Sequence, residues 1–164
     1  LNATIKPTST TKTTNSSPQN QSLVLEEKLP ILGYAQGNII DRGNVIKTPI
    51  GYIDKPHSLA NYTDLYCVYI TGDSMSPEHK NGDLRIATPH LPYNNGDTVI
   101  FVVKDPSTGE ETSYIRTYLR TTTTESGLVL AIFSQHYPSV DINFNNKNIV
   151  FIHKVLSYNE VLGL

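Results

Sequence analysis

Leu65-Tyr66-Cys67-Val68-Tyr69-Ile70-Thr71 runs directly into Gly72-Asp73-Ser74-Met75-Ser76-Pro77. The first seven residues are β-branched, aromatic or small and apolar, the composition of a strand with buried side chains. The next six cannot continue it, because glycine, Asp-Ser and proline favour turn geometry over a sheet ladder. Ser74 therefore stands at a strand end, where a hydroxyl is held rigidly yet remains open to reaction. A second turn, Asn81-Gly82-Asp83, starts another strand at Leu84–Thr88.

Outward from this pair, short β-type runs alternate with turn signals. Residues 31–35 read as a first strand closed by Gln36-Gly37, and residues 44–46 and 51–53 as short strands or extended loops. A strand is read at Thr98–Lys104, and its stretch Thr98–Val103 is nearly all apolar, as expected of a central strand covered on both faces. Asp105-Pro106-Ser107-Thr108-Gly109 links it to a strand at 111–119, and strands at 128–133 and 149–156 complete the set. No window of a dozen residues has helical periodicity, and 58–63 offers one turn of helix at most. The fold class is mostly β, a strongly bent sheet or partly closed barrel.

The chain has 164 residues, enough for one domain with a real core plus a tail. Residues 1–28 are rich in Thr, Ser, Asn and Gln, and too poor in large apolar groups to offset their ordering entropy; they read as a flexible linker before a domain at 29–164. A first residue of Leu rather than Met suggests a piece of a longer protein. Net charge is −2 with 17% charged residues, so the chain lacks the basic footprint for gripping a phosphate backbone alone. No apolar run is long enough to span a membrane. The single cysteine, Cys67, excludes an internal disulfide, fits a reducing cytoplasm, and reads as an inert core thiol. Ten tyrosines with no tryptophan suit either a protein interface or ordinary strand packing.

A serine hydroxyl needs a neighbour to take its proton. Histidines stand at 57, 79, 90, 136 and 153, but none lies in a recognisable nucleophile–base pattern. No His/Cys spacing suggests a metal, and no cofactor is implied.

Gly72-Asp73-Ser74-Met75-x-Pro77, Gly82-Asp83 and Gly96-Asp97-Thr98-Val99, in that order, resemble the LexA and phage-repressor family of self-cleaving proteins, the S24 peptidases. Leu29-Pro30-Ile31-Leu32-Gly33 with Gly37 is similar to that family's cleavage-site region. Phe133-Ser134-Gln135-His136-Tyr137-Pro138 is similar to the segment after its lysine strand, and 149–156 to its closing strand. The resemblance covers about 29–156 and implies the LexA C-terminal-domain type of sheet. It also implies a buried neutral lysine that deprotonates the serine, which attacks an Ala-Gly or Cys-Gly bond upstream.

Two positions depart from that pattern. Ser74 is in place as nucleophile, but the lysine position aligns with Arg116, and a guanidinium is not deprotonated in a protein. The scissile position aligns with Gln36-Gly37, or less well Ala35-Gln36. Lys80 and Lys104 read as exposed and so as poor substitutes for the missing base. The expectation is thus a vestigial Ser74 flanked by Asp73 and Met75 in the old cleft, with Met75 as core filler. Arg116 is expected to hold Asp73 or a backbone carbonyl through charge-assisted hydrogen bonds, with Tyr114 and Tyr118 on the same strand face.

As the resemblance implies, the chain is the C-terminal oligomerisation and regulatory domain of a phage-type repressor, defective in self-cleavage. A working self-cleaving peptidase with a non-standard base is the alternative. The implied partners are a second copy or a higher oligomer, and operator DNA through an N-terminal helix-turn-helix outside this chain. An antirepressor or a RecA-type inducer would switch it, in the cytoplasm and without a membrane.

Overall fold

Two alternating strands with a turn between them pair most cheaply as neighbours, and that is how the centre of this molecule is built. The computed structural model describes residues 27–34, 40–41, 44–45 and 49–164. Most of the 1–28 linker reading, and all of Ala35, Gln36 and Gly37, lie outside the described residues. β1 (Lys28–Tyr34), β4 (Gly51–Asp54), β5 (Tyr66–Tyr69), β6 (Leu84–Thr88), β7 (Thr98–Lys104), β8 (Glu111–Thr123), β9 (Val129–Gln135), β10 (Val140–Asn145) and β11 (Ile149–Val155) form one nine-stranded sheet. Its order is β10-β9-β8-β7-β11-β6-β5-β1-β4. A separate two-residue ladder joins β2 (Ile40–Asp41) to β3 (Asn44–Val45).

β1 pairs β5 in parallel and every other junction is antiparallel, so the sheet is mixed. It curls without closing, since β10 and β4 remain separate edges. The mostly β expectation thus holds, with a bent open sheet rather than a closed barrel.

β7 confirms the two-sided burial read from its sequence: Val99, Ile100, Phe101 and Val102 are at most 1% exposed. On one face, Ile100 joins Val68, Ile70, Met75 and Ile115. On the other, Val99 and Phe101 join Ala131 and Phe133. There the Phe101 and Phe133 rings stack with centroids 3.8 Å apart, and Tyr114 stacks on Phe101 at 5.3 Å. A third cluster, with Leu29, Ile31, Leu59 and Cys67, fills the space under β1 and β5. Cys67 is fully buried and burial pushes its thiol up to about 12, in keeping with an inert role. The tyrosines divide: Tyr66 is core, whereas Tyr52 and Tyr137 are exposed.

β10 and the C-terminal helix are among the elements not anticipated from the sequence. β10 alternates Val140, Ile142 and Phe144 with Asp and Asn, whose poor β propensity hides the period. The helix α1 (Tyr158–Leu162) is too short for a periodic signal. Its local signature is a capping box, with the Ser157 side chain on Glu160 N–H and the Glu160 side chain on Ser157 N–H, and a left-handed Gly163 at its end. The expected helical turn after residue 57 is a 3-10 turn at His57–Leu59, and α1 packs on it, with the Ser58 hydroxyl donating to Val161 O.

Candidate functional site

The Gly-Asp turns flanking Ser74 are built alike. Gly82 (φ 87°) and Gly96 (φ 91°) take the left-handed conformation that side-chain-bearing residues avoid. The following Asp83 and Asp97 carboxylates then accept a backbone N–H three residues earlier, from Lys80 at 2.9 Å and Asn94 at 2.8 Å. These turns deliver β6 and β7 to the sheet beside the segment that carries Ser74.

That segment is a chain of turns. Ser76 N–H donates to Asp73 O and His79 N–H to Met75 O, both at 2.9 Å. Met75 is fully buried in the core, as the core-filler reading expects, and fixes the segment from below. From the far side, the N–H groups of His136 and Tyr137 both donate to Ser74 O at 2.9 Å. The Ser74 hydroxyl is partly exposed and makes no hydrogen bond among the described residues. Asp73 is exposed, and Arg116 does not hold it.

Arg116 lies on β8 opposite Val99 of β7, and level with Gln135 of β9 because Thr117 pairs with Ser134. It is 5% exposed. One terminal nitrogen donates to Ile115 O at 2.7 Å, the backbone-carbonyl option of the two expected. Its Nε has no partner, and its guanidinium carbon lies 5.6 Å from the Tyr114 ring centroid. Burial pushes the guanidinium's pKa down, with Tyr114 acting the other way. Even so it carries no lone pair for a proton at working pH. Lys80 and Lys104 are exposed, as expected. Lys154 is held between Glu160 (3.1 Å) and Asp97 (3.7 Å).

A polar cluster beside the Ser74 segment escaped the sequence reading. Arg85, 9% exposed, donates from Nε to His79 Nδ1 at 2.8 Å, and from a terminal nitrogen to Asp83 Oδ2 at 2.9 Å and Tyr158 OH at 2.6 Å. Because His79 Nδ1 accepts, its Nε2 carries the proton and donates to Thr98 Oγ1 at 3.0 Å. Desolvation lowers the His79 pKa, which keeps the ring neutral against the opposing pull of Glu78. Glu78 turns its other carboxylate oxygen to His136 Nε2, at 2.9 Å. A cavity of about 440 Å³ adjoins this cluster, lined in part by Glu78, His79, Arg85, Asp97, Lys154 and Tyr158. No group of His, Cys, Asp and Glu able to hold a metal ion occurs among the described residues.

No histidine ring hydrogen-bonds the Ser74 hydroxyl among the described residues, and the contact with His136 runs through the main chain. His136 stands beside Tyr137-Pro138 and reads locally as a turn residue. In the fold its backbone rests on Ser74 and its ring on Glu78.

The model of the family described as peptidase S24-like matches residues 36–156. The chain belongs to that family. Repressor protein C of Rhizobium phage 16-3 is 30% identical to it over 149 residues, 87% of this chain. The chain spans about half (52%) of that relative's length. No solved structure matches it. As an S24-like chain, it places Ser74 at the turn after β5 and Arg116 on the long β8, the positions that the resemblance assigns to nucleophile and base. No helix among the described residues is long and apolar enough to cross a membrane.

Proposed function

We propose that this chain is the C-terminal oligomerisation and regulatory domain of a phage-type transcriptional repressor whose serine–lysine self-cleavage is silenced. The observation that carries the reading is Arg116, a buried guanidinium with an orphaned Nε on β8, where the resemblance aligns the family's lysine. A lysine there could be made neutral by burial and act as base, whereas an arginine cannot. The repressor name of the phage 16-3 relative supports the regulatory role. A domain that dimerises, or forms a higher oligomer, brings two N-terminal DNA readers onto one operator, raising their effective concentration. Operator release then comes from a separate input, an antirepressor or a RecA-type inducer, in the host cytoplasm.

The test is intact-mass spectrometry after incubation at pH 7 and pH 10, run on the parent and Arg116→Lys, with sedimentation analysis alongside. The parent is expected to remain whole and to sediment as a dimer or larger. Cleavage of Arg116→Lys near Gln36-Gly37, faster at pH 10, would show that arginine alone silences the site. A parent that cuts itself, or that sediments only as a monomer, would sink the proposal.

A further inference from the structure

Arg85 stands at the head of two hydrogen-bond relays that end beside one cavity. In the first, Arg85 Nε donates to His79 Nδ1 at 2.8 Å, which leaves the proton of neutral His79 on Nε2 to donate to Thr98 Oγ1 at 3.0 Å. In the second, a terminal nitrogen of Arg85 donates to Tyr158 OH at 2.6 Å. Each hydroxyl oxygen thus accepts from the protein and keeps its own proton to give. Neither proton has an acceptor among the described residues. A hydroxyl that accepts from a cation, directly or through a ring, is also a better donor, because successive hydrogen bonds polarise one another.

Thr98 and Tyr158 both line the cavity of about 440 Å³, whose walls come from the end of the Ser74 segment, β6, the start of β7, and β11 through α1. Neither Ser74 nor Arg116 lines it, so it is separate from the positions that the resemblance assigns to cleavage. Leu84, Ile86, Leu156 and Val161 also line it, and they belong to one apolar cluster. An apolar wall with a few convergent polar groups, at this volume, is the make-up of a small-molecule site. The surrounding charges select among acceptors. Arg85 is neutralised by Asp83 at 2.9 Å, and Lys154 by Glu160 and Asp97. The lining therefore has no surplus positive charge, and an anion would meet the carboxylates of Glu78, Asp97 and Glu160.

We propose that this cavity binds a small uncharged molecule of the amide class, with an apolar body and carbonyl oxygens that accept the Thr98 and Tyr158 protons. A carbonyl accepts without donating, so it satisfies both hydroxyls and brings no charge to the carboxylates. The apolar body lies against Leu84, Ile86 and Val161. A molecule seated there touches the end of the Ser74 segment, through Glu78 and His79, together with the helix α1. This inference goes beyond the preceding reading, because it concerns a site apart from Ser74 and holds whether or not the chain cuts itself.

The experiment is titration of the isotope-labelled full chain with N-acetyl-L-leucinamide, followed by amide NMR. Saturable shifts are expected at the lining, among them Ile86, Thr98 and Val161, and not at Ala131 or Phe133 in the cluster on the other face of β7. N-acetyl-L-leucine, which carries a carboxylate in place of the terminal amide, is expected to bind about tenfold more weakly, as like charges oppose it. Thr98→Val and Tyr158→Phe each remove one hydroxyl and keep the shape, and each is expected to weaken the amide about fivefold, the measure of one hydrogen bond. Thermal melts verify that both variants fold, and Thr98→Val leaves α1 and its tie to Arg85 in place. No saturable shift at the lining, equal binding of the carboxylate, or parental affinity in both variants would overturn the proposal. None of these outcomes bears on self-cleavage or sedimentation, which test the silenced-repressor reading separately.

Discussion

Arg85 on β6 and Arg116 on β8 are both buried arginines of one sheet, and the protein treats them in opposite ways. Arg85 is surrounded: His79, Asp83, Tyr158 and two backbone carbonyls accept from it, and the Tyr158 ring lies 4.9 Å from its guanidinium carbon. Arg116 has one backbone acceptor and an orphaned Nε, with no ion pair among the described residues. A buried charge is stabilising to the extent that its hydrogen bonds replace those it made to water. By that measure Arg85 ties the Ser74 segment to the C-terminal helix, whereas Arg116 stores cost. Unsatisfied polar groups of this kind gather where a site has been shaped by chemistry rather than by stability.

The contrast can be broken by substitution. Arg85→Met is expected to be the most damaging change, about 3 kcal/mol in urea unfolding, since it strands buried His79 Nδ1 and removes the ties to Asp83, Tyr158 and two backbone carbonyls. Arg116→Met should do the opposite, raising stability by about 1–2 kcal/mol, as replacement of an ill-paired buried charge by an apolar group often does. Loss of stability in Arg116→Met would show that its guanidinium is better satisfied than its hydrogen bonds suggest. Tyr158→Phe keeps the ring over Arg85 and removes only the 2.6 Å hydrogen bond, so a loss of about 1–2 kcal/mol is expected.

A smaller effect concerns the histidines. Desolvation lowers the pKa of His79, and that of His153 to about 4. An unfolded histidine takes up its proton near 6.5. Below that pH the unfolded chain binds protons that the folded chain refuses, so stability is complete above about 6.5 and declines toward 4. Urea midpoints measured from pH 7.5 to 4 should trace this fall, and His153→Gln should remove part of the slope. Below it, Asp83 adds a further loss, because the Lys80 N–H and Arg85 hold its carboxyl below the usual range.

Much of the fold was legible in local pattern. β5, β6 and β7 are read within a residue or two, and Cys67 and Met75 sit in the core as their apolar settings imply. β8 runs on to Thr123 beyond the expected end at 119, through a threonine-rich stretch that carries β propensity without an apolar alternation. Among the site residues, Ser74 could be found because its strand-end turn is contiguous in sequence. Glu78 and His136 could not be joined, since 58 residues separate them. Nor could Arg85 and Tyr158, 73 apart.

From sequence alone come the β texture, the serine just past a strand end, and an arginine, Arg116, where the resemblance aligns a lysine. Each depends on the chemistry of one side chain or on a few adjacent residues. Which histidine meets Ser74, and which arginine finds partners, was decided by the sheet order that lays the end of β9 against the Ser74 turn and α1 against β6. Local propensity acts over a handful of residues, whereas hydrogen-bond partners are set by distance in space. Only the packed sheet converts the one into the other.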